Sequence, residues 1–154
     1  MKTRLAFIVF FTLLGFVTTY GQQITKKGEV YVDEKGESYS GVYISYYPDG
    51  EKQTVYTIKK GKENGSAEFY YPEGTIMEQG VFKDGKKDGK WVRWSTDGSK
   101  LAEANYKEGK KEGQWIIWDE RGVKRYEMFY ANGAKRGTWL MWDEKGQISN
   151  QKQY

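Results

Sequence analysis

The sequence predicts an all-β protein, an elongated antiparallel meander of about five 24-residue β-hairpin repeats preceded by a signal peptide. The first observation is a glycine that recurs every 24 residues without an insertion, at Gly41, Gly65, Gly89, Gly113 and Gly137. The second is a run of aromatic and β-branched residues after each of these glycines, which favours a strand. The third is a second glycine nine residues later, at Gly50, Gly74, Gly98, Gly122 and Gly146. A thin structure held by contacts between neighbouring repeats follows from this pattern.

Each repeat is predicted to be one hairpin, because its two strand-like runs are separated by a short turn. We number the residues of each repeat from its opening glycine, which is position 1. The turn occupies positions 8 to 10, as in Thr96-Asp97-Gly98. A three-residue loop that ends in glycine suits a type I turn closed by a residue in the left-handed conformation.

The turn length also predicts which side chains share a face of the sheet. If position 7 pairs with position 11, position 3 lies opposite position 15 and position 4 opposite position 14. One face then carries positions 4, 6, 14, 16 and 18, which in the fourth repeat are Ile116, Trp118, Tyr126, Met128 and Tyr130. The other face carries positions 3, 5, 13, 15 and 17, which are Trp115, Ile117, Arg125, Glu127 and Phe129. The first face is predicted to be buried and the second wetter, with Glu68 and Gly80 interrupting the apolar face of the second repeat.

Three segments are predicted along the chain: a signal peptide over 1–21, an N-terminal cap over 22–40 and the five repeats over 41–154. Lys2 and Arg4 precede an apolar run over 5–17, and small residues follow at Thr19 and Gly21. This pattern predicts cleavage near Gly21, with an uncleaved anchor as the alternative. The mature chain is therefore expected to be exported and to be periplasmic, associated with the outer envelope, or secreted.

Composition argues against several classes of function. Histidine and cysteine are both absent, so the commonest catalytic bases, thiol nucleophiles and zinc ligands are missing. We predict no enzyme activity, no catalytic residue, no cofactor and no metal site. Loss of residues 1–21 would remove two of the 25 basic residues and none of the 21 acidic ones, leaving a net charge of +2. So weak a charge predicts no nucleic-acid partner.

The connector between repeats carries the clearest family resemblance. The segment Tyr106-Lys107-Glu108-Gly109-Lys110-Lys111-Glu112-Gly113-Gln114-Trp115, with the paired aromatics, the Asp-Gly turn and the period, resembles the MORN repeat family over residues 41–154. It is most similar to the variant repeats of bacterial chains named YwqK-family antitoxins. The resemblance implies scaffolding, protein binding or lipid association, and a toxin-neutralising role for the antitoxin-like variant.

Two surfaces are candidate binding sites. The first is the row of position-3 residues on the wetter face, with neighbouring arginines; tryptophan and arginine are common in binding hot spots. Its residues are Tyr43, Trp91, Arg93, Trp115, Arg125 and Trp139. This row would bind a protein strand or a glycan, or the tryptophans would simply cover neighbouring strands.

The second surface is the edge of the sheet that carries the connectors. Positions 19 to 24 contain eleven basic and five acidic residues, a net charge of +6, whereas the turns at positions 7 to 10 contain seven acidic and two basic residues, a net charge of −5. The candidate contacts to an anionic surface such as phospholipid are Lys62, Lys86, Lys87, Lys110 and Lys111. The alternative is that these charges only keep the sheet soluble.

Together these observations predict an exported, non-enzymatic repeat protein that acts as a protein-binding or scaffold module. Its partner is expected to be another protein. The alternatives are association with an anionic membrane surface and neutralisation of a toxin.

Overall fold

The computed structural model describes residues 18–19 and 22–154, and this part of the chain consists of strands and turns without any helix. The predicted all-β class is therefore confirmed. Most of the predicted signal peptide, residues 1–17 and 20–21, lies outside the described residues. None of the described residues belongs to a helix that is long and apolar enough to cross a membrane. The strands are β1 (Thr18–Thr19), β2 (Gln22–Gln23), β3 (Thr25–Lys27), β4 (Val30–Val32), β5 (Gly41–Tyr46), β6 (Lys52–Lys59), β7 (Lys62–Tyr70), β8 (Ile76–Lys83), β9 (Lys86–Trp94), β10 (Lys100–Lys107), β11 (Lys110–Lys111), β12 (Gly113–Trp118), β13 (Lys124–Ala131), β14 (Ala134–Trp142) and β15 (Ile148–Gln153).

The five repeats form one antiparallel sheet in which every strand pairs with its neighbours in sequence. The order runs from β5 to β15, with the short β11 pairing with β10 just before β12 begins. The predicted hairpins are β5–β6, β7–β8, β9–β10, β12–β13 and β14–β15. The predicted meander of five hairpins is confirmed.

The turns within the hairpins have the predicted conformation. In the third repeat the Gly98 N–H donates to the Ser95 carbonyl at 3.0 Å, and the Ser95 N–H donates to the Ser99 carbonyl at 2.9 Å. Gly98 has a φ of 85°, and all five closing glycines have φ values between 76° and 93°. Glycine is favoured here because a side chain would be strained in this left-handed conformation.

The predicted face assignment is wrong for the second strand of each hairpin. In the fourth repeat Trp118 pairs with Lys124, as predicted, but Ile117 pairs with Tyr126, which leaves Arg125 as the extra residue of a β-bulge. The other four hairpins have the same irregularity at position 13. The bulge moves the side chains that follow it to the opposite face of the sheet, so positions 14, 16 and 18 share a face with positions 3 and 5. We call this the spine face, and the face with positions 4, 6, 15 and 17 the open face.

The core is a ladder of aromatic rings along the spine face. Neighbouring ring centroids are 4.6 to 6.4 Å apart along the series. The rings are Tyr31, Tyr43, Tyr56, Phe82, Trp91, Tyr106, Trp115, Tyr130, Trp139 and Tyr154. Each repeat therefore contributes aromatic contacts to the repeat beside it, and this ladder, which we call the aromatic spine, replaces the core of a globular domain.

Gly80 is part of this core rather than a gap in it. A Cβ atom at Gly80 would lie 2.3 Å from the Trp91 indole, so only glycine lets Trp91 lie flat on strand β8. Glu68, the other predicted interruption, lies on the open face at position 4 and pairs with Gln79. The prediction that these two residues interrupt one apolar face is wrong, because the bulge places them on opposite faces of the sheet.

The connectors are two-residue turns that join one hairpin to the next. Lys60, Asp84, Glu108 and Asn132 each have a φ near 50° and each precedes a glycine with positive φ, as a type I′ turn requires. The connector glycines also join successive turns, since the Gly109 N–H donates to the Lys87 carbonyl at 2.8 Å and the Gly133 N–H to the Lys111 carbonyl at 2.9 Å. All the connectors therefore lie along one edge of the sheet.

Residues 25–39 cover the start of the spine. Hairpin β3–β4 places Tyr31, which is 3% exposed, against Tyr43. The Tyr31 N–H donates to the Gly61 carbonyl at 2.8 Å. Asp33 and Gly36 form the same turn as Asp143 and Gly146 of the last repeat.

Candidate functional site

The six tryptophans occupy two rows on opposite faces of the sheet. They occur in pairs at positions 3 and 6 of the last three repeats, and an odd separation along a strand places two side chains on opposite faces. Trp91, Trp115 and Trp139 lie in the aromatic spine. Trp94, Trp118 and Trp142 lie on the open face and are partly exposed.

The predicted position-3 row is structural. Trp91 is 1% exposed and Trp139 is 8% exposed, while Tyr43 and Trp115 are partly buried. The Trp91, Trp115 and Trp139 indole N–H groups donate to backbone carbonyls of the preceding repeat at 2.9 to 3.2 Å. These indoles therefore have little surface to offer a partner.

Only one of the two predicted arginines shares the face of the position-3 tryptophans. Arg93 is exposed at position 5 of the spine face, where it lies opposite Ala102. Arg125 is the bulged residue of its hairpin, and its guanidinium lies 3.7 Å from the Asp119 carboxylate at the turn. The six residues predicted to bind a partner are thus divided between the core, the spine face and a turn.

The predicted lysines at the connector edge fall into two groups. Lys87 Nζ lies 3.7 Å from the centre of the Trp91 ring and Lys111 Nζ 4.3 Å from that of Trp115, so both ammonium groups cover rings of the spine. Lys87 also forms a salt bridge with Glu78 at 2.8 Å. Lys62, Lys86 and Lys110 are exposed at the tips of the connectors instead.

Each of these three exposed lysines lies opposite another lysine on the other side of its connector. The register pairs Lys62 with Lys59, Lys86 with Lys83, and Lys110 with Lys107. All six are exposed, and within the described part of the chain none forms a salt bridge. We call these six residues the lysine edge.

Most acidic residues near the lysine edge are engaged elsewhere. The Asp88 carboxylate accepts the Glu108 backbone N–H at 3.0 Å, and the Glu112 carboxylate accepts the Asn132 N–H at 2.7 Å. Glu63 forms a salt bridge with Lys26 at 2.9 Å. Burial opposes ionisation of Glu63, but hydrogen bonds from Lys26, its own backbone N–H and Tyr31 leave its pKa below the usual value. These three carboxylates hold the backbone and the cap, whereas the six lysines of the lysine edge are exposed; Lys110 Nζ donates to Asn132 Oδ1 at 2.9 Å.

The open face carries a row of apolar residues alternating with neutralised carboxylates. Across successive strands Val92, Glu103, Ile116, Glu127 and Leu140 are direct neighbours. Glu103 binds Lys100 at 2.6 Å and Glu127 binds Lys124 at 2.8 Å. These lysine hydrogen bonds are the main cause that lowers the pKa of each carboxyl, against a smaller effect of burial. No cluster of three or more potential metal-binding side chains occurs in the part of the chain that the structure describes.

The open-face tryptophans Trp94, Trp118 and Trp142 are not among the site residues predicted from the sequence. Their signal was present, since the spacing of three residues already required two rows on opposite faces. The bulge at position 13 decides which of the two tryptophan rows is buried. The residue at this position differs in every repeat: Gln53, Met77, Leu101, Arg125 and Ser149. No residue type marks the bulge, so the sequence did not locate it.

Comparison with known families supports the repeat assignment. The model of the MORN repeat variant matches three consecutive stretches, residues 63–84, 87–108 and 111–132. These stretches coincide with hairpins β7–β8, β9–β10 and β12–β13. MORN repeats are commonly protein-binding or lipid-binding modules, and the family is generally non-enzymatic. No curated protein sequence matches this chain, so the closer likeness to YwqK-family antitoxins stays a prediction.

Proposed function

We propose that this chain is an exported, non-enzymatic binding module whose lysine edge recognises an acidic surface of a partner protein. The observation that carries the proposal is the pairing of exposed lysines across three consecutive connectors. Like charges directly opposite each other destabilise a sheet. Three such destabilising lysine pairs are expected where a bound partner supplies negative charge that offsets their repulsion.

The carboxylates at this edge support the same conclusion. They could neutralise the lysines, but Asp88 and Glu112 are held in hydrogen bonds to the backbone of the next connector. Even with the turn carboxylates Asp84 and Glu108 at the same tips, the rim keeps a net positive charge, and a partner would meet it first. A charged rim of this kind mainly accelerates association and selects partners of the opposite charge.

The geometry favours a partner that contacts several repeats at once. Successive connectors are two strands apart, which is roughly 10 Å at the usual strand spacing. The lysine edge is thus a line of three pairs spanning about 20 Å. A line of weak contacts binds usefully only when they are engaged together, which suits an extended acidic surface.

The proposal also includes export of the chain and a role without catalysis. The basic N-terminus, the apolar run over 5–17 and the small residues that follow support a cleaved signal peptide. The match to a generally non-enzymatic repeat family and the lack of histidine and cysteine support a binding role.

A second candidate is association with an anionic lipid surface. The six lysines lie at connector tips along one edge, so several could meet a flat surface together. Each basic residue near an anionic membrane contributes on the order of 1 kcal/mol. The same lysines would bind either an acidic protein or an anionic membrane, so the experiment must distinguish these two partners.

Site-specific photo-crosslinking in the producing cells tests the proposal. A photoreactive amino acid at Lys86 should capture one polypeptide reproducibly, and the same group at Lys52, near the opposite edge, should not. Replacement of Lys62 and Lys110 with glutamine should reduce the capture by the Lys86 probe, because the neighbouring pairs share the partner.

Flotation with vesicles provides the second arm. Binding to phosphatidylglycerol vesicles and not to phosphatidylcholine vesicles, without a crosslinked polypeptide, would replace the protein partner with a lipid surface. No capture and no vesicle binding would overturn both candidates.

A further inference from the structure

The position-6 aromatic residues form repeated clefts on the open face, next to the turns. The first cleft has a volume of about 350 Å³ and is lined by Thr75, Ile76, Gln79, Trp94 and Gly98. The second has a volume of about 390 Å³ and is lined by Ser99, Lys100, Trp118 and Gly122. Both are built alike, from the tryptophan and turn glycine of one repeat and positions 11 and 12 of the repeat before it.

The aromatic walls recur in every repeat. Position 6 is Tyr46, Tyr70, Trp94, Trp118 and Trp142, and each pairs with position 12 across its hairpin. Neighbouring walls are two strands apart, roughly 10 Å. The open face thus offers a line of evenly spaced aromatic side chains that the aromatic spine does not use.

We propose that this line of clefts binds an uncharged polysaccharide, with sugar rings packed against successive aromatic walls. A pyranose ring has apolar C–H faces, which suit an indole, and a rim of hydroxyl groups. The polar side chains of Thr75, Gln79 and Ser99 lie beside the tryptophans and can exchange hydrogen bonds with such hydroxyls. Mostly apolar walls with a few polar groups are typical of small-ligand sites.

The charges around the clefts favour a neutral ligand. Three lysines occupy position 12 of this row: Lys100 and Lys124, which each bind a carboxylate, Glu103 or Glu127, and the exposed Lys52 in the first repeat. The ammonium groups of Lys100 and Lys124 lie over tryptophan rings, 5.6 Å from the centre of Trp118 and 4.3 Å from that of Trp142. Since Lys100 and Lys124 are neutralised in place, a uronate or phosphate would find no unpaired lysine beside Trp118 and Trp142 among the described residues.

The spacing favours an extended chain of sugars. A β-1,4-linked glycan presents the same ring face once per disaccharide, a length close to two strand spacings. Such a ligand would keep its register with the repeats, and several weak clefts would act together. This surface is separate from the lysine edge, so the two proposals stand or fall independently.

The experiment measures binding of the full chain to chitohexaose and cellohexaose by calorimetry, and to insoluble chitin and cellulose by co-sedimentation. Replacement of Trp118 with alanine should weaken binding about tenfold, the loss expected for an aromatic hot spot. Trp118→Phe should retain most of the affinity, because a flat ring remains. The control is Phe129→Ala, which removes a 37% exposed aromatic from the same face outside the clefts and should leave binding unchanged.

Circular dichroism checks that each variant is folded. If Trp118→Ala does not fold, Trp118→Phe still tests whether a flat ring at this position supports binding. Failure of the wild-type chain to bind any of the four glycans would overturn the proposal. Binding that Trp118→Ala and Phe129→Ala weaken equally would overturn it too. Equal loss of affinity in Trp118→Phe and Trp118→Ala would mean that ring stacking is not the interaction.

Discussion

At the scale of single residues, Gly80 shows how one missing side chain sets the packing of a repeat. The Trp91 indole lies where a Cβ atom at Gly80 would be, and the Trp91 N–H reaches the Val81 carbonyl at 3.2 Å. The equivalent residue of the next repeat is Ala104, which is buried opposite Trp91. Small residues therefore lie on both sides of Trp91, and this lets its ring contact the strands beside it.

Replacement of Gly80 with alanine should destabilise the protein by about 1–3 kcal/mol, the usual cost of overpacking a core. Gly80 has an ordinary backbone conformation, so the effect would report on the clash and not on backbone strain. Thermal or urea unfolding measures it. The control is Gln79→Ala on the exposed side of the same strand, which should change stability by less than about 0.5 kcal/mol. Equal stability of the two variants would mean that Trp91 does not lie on Gly80.

The carboxylate of Glu127 should make the protein sensitive to acid. A hydrogen bond from Lys124, with another from Gln114, holds its pKa below the usual value despite some burial. Because the folded-state pKa is lowered, this contribution is present above the unfolded-state pKa, near 4.3, and is lost as the pH falls through the folded-state value. Unfolding followed from neutral pH to about pH 3 should show a smaller loss of stability for Glu127→Gln than for the wild type. Glu120→Gln, which removes an exposed carboxylate at a turn, is the matched control.

At the scale of the hairpin, the sequence predicted the elements and missed the relation between their two faces. The glycine period, the turn type and the five hairpins followed from residues whose conformational preferences are local, as at Gly98. The side-chain faces depend on the bulge at position 13, where residues as different as Leu101 and Arg125 occupy the same place. The bulge is stabilised by pairing and packing on both sides, so no single residue reveals it. This is why the sequence alone predicts the wetter face for Trp115, which the structure places in the aromatic spine.

The two tryptophans of one hairpin strand should differ sharply in their contribution to stability. Trp139→Ala removes an 8% exposed ring from the spine between Tyr130 and Tyr154 and should cost about 3–5 kcal/mol. Trp142→Ala removes a partly exposed ring from the open face and should cost clearly less. Urea unfolding of both variants decides the assignment of faces. A larger loss for Trp142→Ala would contradict the register in which Trp139 is buried.

At the scale of the whole molecule, the sheet has a different chemical character at each boundary. The turn edge is acidic, the connector edge is basic, one face is filled by the aromatic spine, and the other presents partly exposed aromatic and aliphatic residues. Repeats that contact mainly their neighbours can vary the exposed rows without altering the spine. The lysine edge is such a row, since its six lysines are exposed and lie outside the aromatic spine.

Export should be visible in the mass of the mature chain. Cleavage near Gly21 would give a chain beginning at or near Gln22 and would remove strand β1, which pairs with β2 through Thr18 and Thr19. Intact-mass analysis of protein recovered from the envelope and the medium measures this. A mass that retains residues 5–17 would place the protein among anchored proteins instead.

The central claim is that the lysine edge is maintained for binding at some cost in stability. Two variants with equal loss of charge test it most directly: Lys62, Lys86 and Lys110 replaced with glutamine, and Lys35, Lys52 and Lys145, which are exposed elsewhere, replaced in the same way. Thermal unfolding should show the edge variant to be at least as stable as the wild type, because three like-charge pairs are relieved. With the photoreactive group placed at Lys83, which neither variant replaces, capture of the partner should fall in the edge variant and persist in the other. Equal capture by both variants, or a marked loss of stability in the edge variant alone, would contradict the account.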